Sequence, residues 1–361
     1  MRRLLPLLLV LGIAGLGAVA WLAFLPNVAP VPDDAEAHSI RLPPDTDFNA
    51  ALDSLASAGA VRNMTSLRLF GTLTGWGAQV KTGHYNLTPG MSNWAMMDKI
   101  RKGLQDPIRI TIPGGLTPAR LGRVLQRQLG VDSAAVVAAL RDDELAERLG
   151  TDTAHLLGRM RADTYDILWT TDAARAVERI EEWHDRFWTD ARRAQADALG
   201  MTTDEVTTLA SIVEWEARKP GEHKRIAGVY LNRLLGRTSS GRMRLQADPT
   251  VQFALMQAGE PQMRRLLFVD YQTPSPYNTY LIEGLPPGPI TNPTDTSLDA
   301  VLDAERHDFL YFVADGTGGH DFSRTVAEHN AKAARWSAWL SEQVRIRRER
   351  ERAEGATSGE E

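Results

Sequence analysis

The sequence contains no cysteine, which excludes a disulfide framework, a thiolate metal site and a thiol nucleophile. It has no excess of positive charge either. Its 46 acidic and 41 basic side chains leave a net charge of −5, the wrong sign for holding a polyanion, so nucleic acid is not an expected partner. The eight histidines show no metal-ligand spacing, and no HExxH pattern or carboxylate cluster accompanies His320 and His329, so neither a metal nor a cofactor is expected. No GxSxG occurs, and Gly316, Gly318 and Gly319 read as a hairpin turn. What the chain does have is bulk: 43% hydrophobic residues over 361 positions, enough to fill the cores of two ordinary domains.

Long uncharged runs are absent but for one. Arg2 and Arg3 precede Leu4 to Phe24, which holds no charged side chain and no polar face, and about 20 apolar residues span a bilayer as a helix. The positive-inside rule puts the arginines in the cytoplasm and everything after Leu25 outside. Ala18-Val19-Ala20 resembles a signal-peptide cleavage site, but the run continues through Trp21 to Phe24, longer than a usual signal core. The expectation is a single-pass anchor over residues 4–24 after a cytoplasmic stub, 1–3. Residues 25–45 carry five prolines and few bulky apolar side chains, the composition of an extended tether.

A small mixed module is expected next, with helices over Phe48–Ala58 and Met64–Leu73, a strand at Gly83–Leu87 and a helix from Trp94 to Lys102. A strand at Ile108–Ile112 then leads through Pro113-Gly114-Gly115 into a larger domain. Residues 133–199 read as almost wholly helical, with Ala173–Ala198 one long charged helix. Leu310–Ala314 reads as a strand, 315–319 as a glycine turn, Arg324 onward as a helix, and the last twenty residues as a charged tail fraying into solvent.

The chemistry centres on LASIVEWEA at 209–217. Thr202 and Glu205 form a capping box, which starts this helix and fixes its register. At about 100° per residue, Val206, Ala210, Val213 and Ala217 make one apolar stripe, with Glu214 on one edge and Glu216 on the other. A carboxyl held against apolar surface can stay protonated near neutral pH, as a general acid must; two boundary glutamates in salt bridges fit the spacing equally well. In LQADPT, Asp248 before Pro249 reads as a helix cap, and Gln246 offers an amide to sugar hydroxyls or to solvent. In SPYNTY, Tyr277 and Tyr280 present faces for sugar rings or pack inward, while Asn278 and Thr279 supply short polar contacts. GLPPGPI at 284–290 is a rigid loop.

Taken in order, LASIVEWEA, VYLNRL at 229–234, LQADPT, SPYNTY, GLPPGPI and LYFVADGTGGHDFS at 310–323 resemble the endolytic murein transglycosylase, or YceG-like, family. The resemblance covers most of residues 83–335. It implies an α+β chain with an N-terminal transmembrane helix, a LysM-like α/β module at 46–107, a mixed α+β catalytic domain at 108–341 and a tail at 342–361. It implies Glu214 as catalytic acid, with Glu216 a neighbouring acid and Gln246, Asp248, Tyr277, Asn278 and Thr279 as substrate-binding residues. It implies non-hydrolytic cleavage of peptidoglycan glycan strands to anhydro ends, beside penicillin-binding synthases, by an inner-membrane protein whose catalytic domain faces the periplasm. Gly114 departs from the family, which usually has an acidic residue there.

Overall fold

The computed structural model of the chain describes residues 17–217, 219–260 and 266–357. It is a mixed α+β structure of many helices and three two-stranded sheets among the described residues, divided into two compact units. The first holds residues up to Ile110 with two later segments, 127–131 and 164–172; the second holds the remainder.

In the first unit, strand β1 (His38–Leu42) pairs antiparallel with β2 (Gly83–Leu87), Ile40 opposite Tyr85. Helices Phe48–Ser57 and Met64–Leu73 lie between them in sequence, capped by the side chains of Asp47 and Asn63, and Asn93–Lys102 follows behind Ser92. Leu42, Leu52, Leu67, Tyr85, Leu87 and Met96 form the core. Residues 25–45 do not hang free as the expected tether. Pro26 bridges to Ser92 and Val28 to Val61, Asn27 donates to Asn63 O (3.0 Å) and Asn93 Oδ1 (2.6 Å), and Val28, Ile40 and Leu42 are buried. Apolar residues at alternate positions let a proline-rich stretch join a sheet, which a reading of its prolines alone overlooks.

Only the end of the expected membrane run lies within the described residues. Residues 17–24 are helical, Leu22 and Ala23 are buried in the first unit's core, and Asn93 Nδ2 donates to Leu22 O at 2.8 Å. Among the described residues no helix is long and apolar enough to cross a membrane; Leu4 to Leu16 fall outside them.

Strands β3 (Ile108–Ile112) and β4 (Asp163–Ile167) pair with each other. The strand β4 lies within a stretch expected to be helical; its alternation buries Tyr165 and Ile167. The expected helix Ala173–Ala198 is three helices, Ala173–Glu181, His184–Phe187 and Asp190–Leu199. Phe187 and Trp188 are buried and meet edge to face at 5.1 Å, and Thr189 then caps a new helix.

In the second unit the helix Thr203–Glu216 is central. The capping box on Thr202 and Glu205 is formed in both directions, and every residue from Val206 to Val213 is buried. Helices His223–Leu235, Asp248–Gln257 and Asp295–Leu302 surround it. A hairpin of β5 (Tyr311–Ala314) and β6 (His320–Ser323) follows, then a helix from Val326 to Thr357 that continues well into the segment expected to fray.

Candidate active site

Glu214 and Glu216 leave the end of the Thr203–Glu216 helix on different sides and meet different chemistry. Glu214 Oε2 accepts three hydrogen bonds: from the backbone N–H of Thr294 (3.1 Å), from Thr294 Oγ1 (2.5 Å) and from Ser297 Oγ (2.5 Å). Thr294 is also the cap of the Asp295–Leu302 helix. The carboxyl therefore sits among the unpaired donors of a helix N-terminus, an arrangement that receives hydrogen bonds and anchors a helix. Glycine flanks it: a Cβ on Gly115 would lie 3.7 Å from Glu214 Cγ, and one on Gly114 would lie 2.3 Å from Thr294 Cγ2. A side chain at 114 is incompatible with Thr294 as placed here.

Buried Asn292 fixes this region. Its Nδ2 donates to Pro113 O (3.1 Å) and Met160 O (2.8 Å), and its Oδ1 accepts from Leu116 N–H (2.7 Å).

Glu216 faces a cavity of about 540 Å³ lined by Arg233, Gln246, Asp248, Tyr271, Tyr280, Tyr311 and the β5–β6 hairpin. Glu214 does not line it. Tyr230 Oη donates to Glu216 Oε1 at 2.8 Å. Burial, reinforced by the negative charge of Asp248, raises the Glu216 carboxyl from its ordinary 4.5 to about 7, against the opposing effects of the Tyr230 hydrogen bond and the Arg233 guanidinium. Desolvation penalises the charged form more than these two partners restore it. Arg233 is buried and donates from Nε to Leu310 O (2.7 Å) and from Nη1 to Leu245 O, which holds its charge at the cavity wall.

Asp248 is not the cap expected of it. The helix cap is Ala247, without a side-chain bond, and Asp248 stands one residue inside. Its carboxylate accepts from Tyr280 Oη (2.7 Å) and Tyr271 Oη (3.4 Å), two rings 4.6 Å apart. Burial, and then Asp248, raise the Tyr280 phenol above its ordinary value, so it stays a donor. Gln246 is exposed into the cavity in a left-handed conformation, φ 50°. Its N–H donates to Thr279 O (3.2 Å), and its side-chain amide has no partner among the described residues. Non-glycine residues held this way cost about 1–2 kcal/mol and cluster where function needs them.

Of the residues expected to bind substrate, Glu216, Gln246 and Asp248 therefore share one wall, with Tyr280. Asn278 and Thr279 do not reach it. Both are fully buried: Asn278 donates to Tyr271 O and Thr273 O, and Thr279 Oγ1 bonds Ala247 N–H and Thr250 Oγ1. They shape the loop that carries Tyr280. Tyr277 turns to another groove, its ring 4.8 Å from Phe253. Reading motifs alone missed Tyr230, Arg233 and Tyr271; the i,i+3 spacing of Tyr230 and Arg233 within VYLNRL is the available signal for the first two. Among the described residues no three His, Asp or Glu side chains converge as metal ligands would.

The model of the YceG-like family matches residues 40–335. The endolytic murein transglycosylase of Bacillus subtilis (strain 168) is 25% identical over 317 residues, covering 83% of this chain and 85% of the relative. The endolytic murein transglycosylase of Streptococcus pneumoniae strain D39 is 25% identical over 341 residues, covering 84% of this chain; the chain spans 61% of that relative's length. The 2.6 Å crystal structure of a yceG-like protein, lmo1499 from Listeria monocytogenes, is similar with a TM-score of 0.56 and 27% identity, over 82% of this chain and 98% of that one. With motifs in order, a mixed α+β architecture and a family match across most of its length, the chain belongs to the YceG-like family.

Proposed function

We propose that this protein is an endolytic murein transglycosylase that cuts the bond between N-acetylmuramic acid and N-acetylglucosamine without water, and that Glu216 is its proton donor. The carrying observation is the placement of the half-buried Glu216 carboxyl at a tyrosine-lined cavity, hydrogen-bonded by Tyr230, where burial and the nearby Asp248 raise its pKa to about 7. The resemblance places this role on Glu214. We prefer Glu216 because it lines the cavity, whereas Glu214 does not line it and its Oε2 accepts three hydrogen bonds at a helix N-terminus, which leaves its Oε1 as the group on which the alternative acid role would rest.

Protonated Glu216 gives its proton to the glycosidic oxygen as the bond to the muramyl C1 breaks. The resulting carboxylate takes the proton of the muramyl C6 hydroxyl as that oxygen bonds to C1, which closes the 1,6-anhydro ring and returns Glu216 to its starting state. Tyr230 and Arg233 hold and balance the carboxylate between the two transfers, while burial, reinforced by Asp248 where Tyr271 and Tyr280 fix it, keeps the resting acid protonated. The amide of Gln246 is placed for sugar hydroxyl or N-acetyl groups.

The reading extends to the whole chain. Residues 4–24 anchor it once in the inner membrane with residues 1–3 inside, supported by the uncharged run behind two arginines and by Trp21 and Phe24, exposed at its outer end as interfacial aromatics are. The strand–helix–helix–strand order of the first unit supports a LysM-like module, and residues 108–341 form the catalytic domain ahead of the tail at 342–361. The active site faces the periplasm, where the enzyme ends nascent strands beside penicillin-binding synthases.

The test is digestion of peptidoglycan sacculi with product masses recorded. Glu216→Gln lowers the rate at least about 10²-fold, whereas Glu214→Gln retains most of it at reduced stability. The opposite ranking returns the acid role to Glu214. Reducing ends, heavier by one water, would make the protein a muramidase, and no cleavage by the unaltered protein would leave it a peptidoglycan-binding scaffold.

A further inference from the structure

We propose that a second groove in the same unit is a subsite for the carboxylate-bearing peptide branch of the glycan strand. The inference rests on the transglycosylase reading above and extends it to what lies beyond the sugar.

The groove has a volume of about 370 Å³. Phe253, Tyr277, Leu157 and Pro289 give it apolar surface, and Arg123 and Arg141 are among the residues that line it. Both arginines are exposed, and among the described residues neither has an ion-pair or hydrogen-bond partner for its side chain. Two unpaired cations beside an apolar surface favour a ligand with more than one carboxylate. Glu260, which also lines the groove, adds one anion, so the complementary ligand is a short peptide that carries an amine as well as carboxylates.

A second observation points into the same space. Tyr277 is 8% exposed, and its hydroxyl has no partner among the described residues. Burial, and then the negative charge of Asp152, raise that phenol above its ordinary value, so it offers a proton to an acceptor such as a peptide carbonyl.

The position suits a branch. The Asp248–Gln257 helix begins with Asp248 at the Glu216 cavity and carries Phe253 and Met256 to the groove. Five to eight residues at about 1.5 Å each separate the two by roughly 8–12 Å along the helix. A muramyl sugar near Glu216 carries its peptide on a lactyl arm, and that span is within reach of a few residues of extended chain.

The experiment compares glycan strands bearing peptides with the same strands stripped by an amidase, cut by the full-length protein in detergent. The unaltered protein has the higher kcat/KM on peptide-bearing strands. In the double variant Arg123→Ala/Arg141→Ala that value falls about three- to ten-fold, the size expected of two part-exposed charge contacts, while stripped strands are cut as before. Tyr277→Phe, which keeps the ring, loses about two- to three-fold on peptide-bearing strands only. Converting the peptide carboxylates to carboxamides reproduces the double variant's loss with the unaltered protein. Equal losses on both substrates, or none on either, overturn the proposal. A synthetic tripeptide with two carboxylates and one amine, titrated by fluorescence anisotropy, reads the groove without any cleavage: equal affinity for unaltered and double-variant protein overturns the subsite, whereas weaker binding by the variant supports it even if no strand is cut and the transglycosylase reading fails.

Discussion

At the residue scale the second unit turns on two glutamates that differ in what they touch. Burial raises the Glu216 carboxyl, and on the proposed role that direction has consequences for both rate and stability. As a proton donor raised to about 7, it supports cleavage below that pH, and kcat/KM falls tenfold per unit above it. Stability follows the same sign. The folded carboxyl binds its proton more tightly than the unfolded one at 4.5, so its contribution is complete below 4.5 and is lost as pH rises toward 7. Glu216→Gln removes that loss. Its melting temperature at pH 8 exceeds that of the unaltered protein, by about 1–3 kcal/mol in stability, and thermal melts of both proteins across pH 4–9 check the crossing. Gln246 offers a parallel case. Gln246→Gly relieves the left-handed backbone by about 1 kcal/mol but removes an amide from the cavity; calorimetry should show a higher melting temperature while KM for glycan rises.

At the element scale, long-range polar groups hold the ends of helices in place. Asn292→Ala leaves Pro113 O, Met160 O and Leu116 N–H without their partner, at a cost of about 2–4 kcal/mol, measurable by urea unfolding. It also loosens the Pro113–Gly115 segment beside Glu214, which keeps its backbone tie from Gly115 N–H to Asn292 O (2.8 Å). Thr202→Ala removes one side of the capping box and costs about 1 kcal/mol. The contrast explains what the sequence discloses. Thr202 and Glu205 are three residues apart, so their bond and the register of the buried helix were legible, as were the strand at Gly83–Leu87 and most helices of the first unit. Asn292 joins segments more than a hundred residues away, and no local pattern announces it. Asp248 before proline looks like a cap; two tyrosines from a distant loop make it an acceptor instead. The helical wheel put both glutamates at boundaries, but which boundary borders a cavity depends on the elements opposite, and these are set by tertiary packing. Asn278 and Thr279 misled for the same reason, since short polar residues in a loop serve its own backbone as readily as a ligand.

At the scale of the whole molecule, the helix at residues 17–24 and the first unit are joined without slack. Leu22 and Ala23 belong to that unit's core, and Asn93 holds the Leu22 carbonyl. A soluble form starting at residue 26 therefore melts below one starting at residue 17, by about 1.5–3 kcal/mol for the lost leucine alone, and paired melting curves of the two forms measure the gap. The docked prolines matter for reach as well. A free chain of the 21 residues from 25 to 45 would wander over about 25 Å, a long leash for a folded unit. With Asn27 tied to Asn63 and Asn93, and with His38–Leu42 already paired in a sheet, that leash is reeled in. On the anchoring proposed above, the first unit is held directly at the outer end of the apolar run.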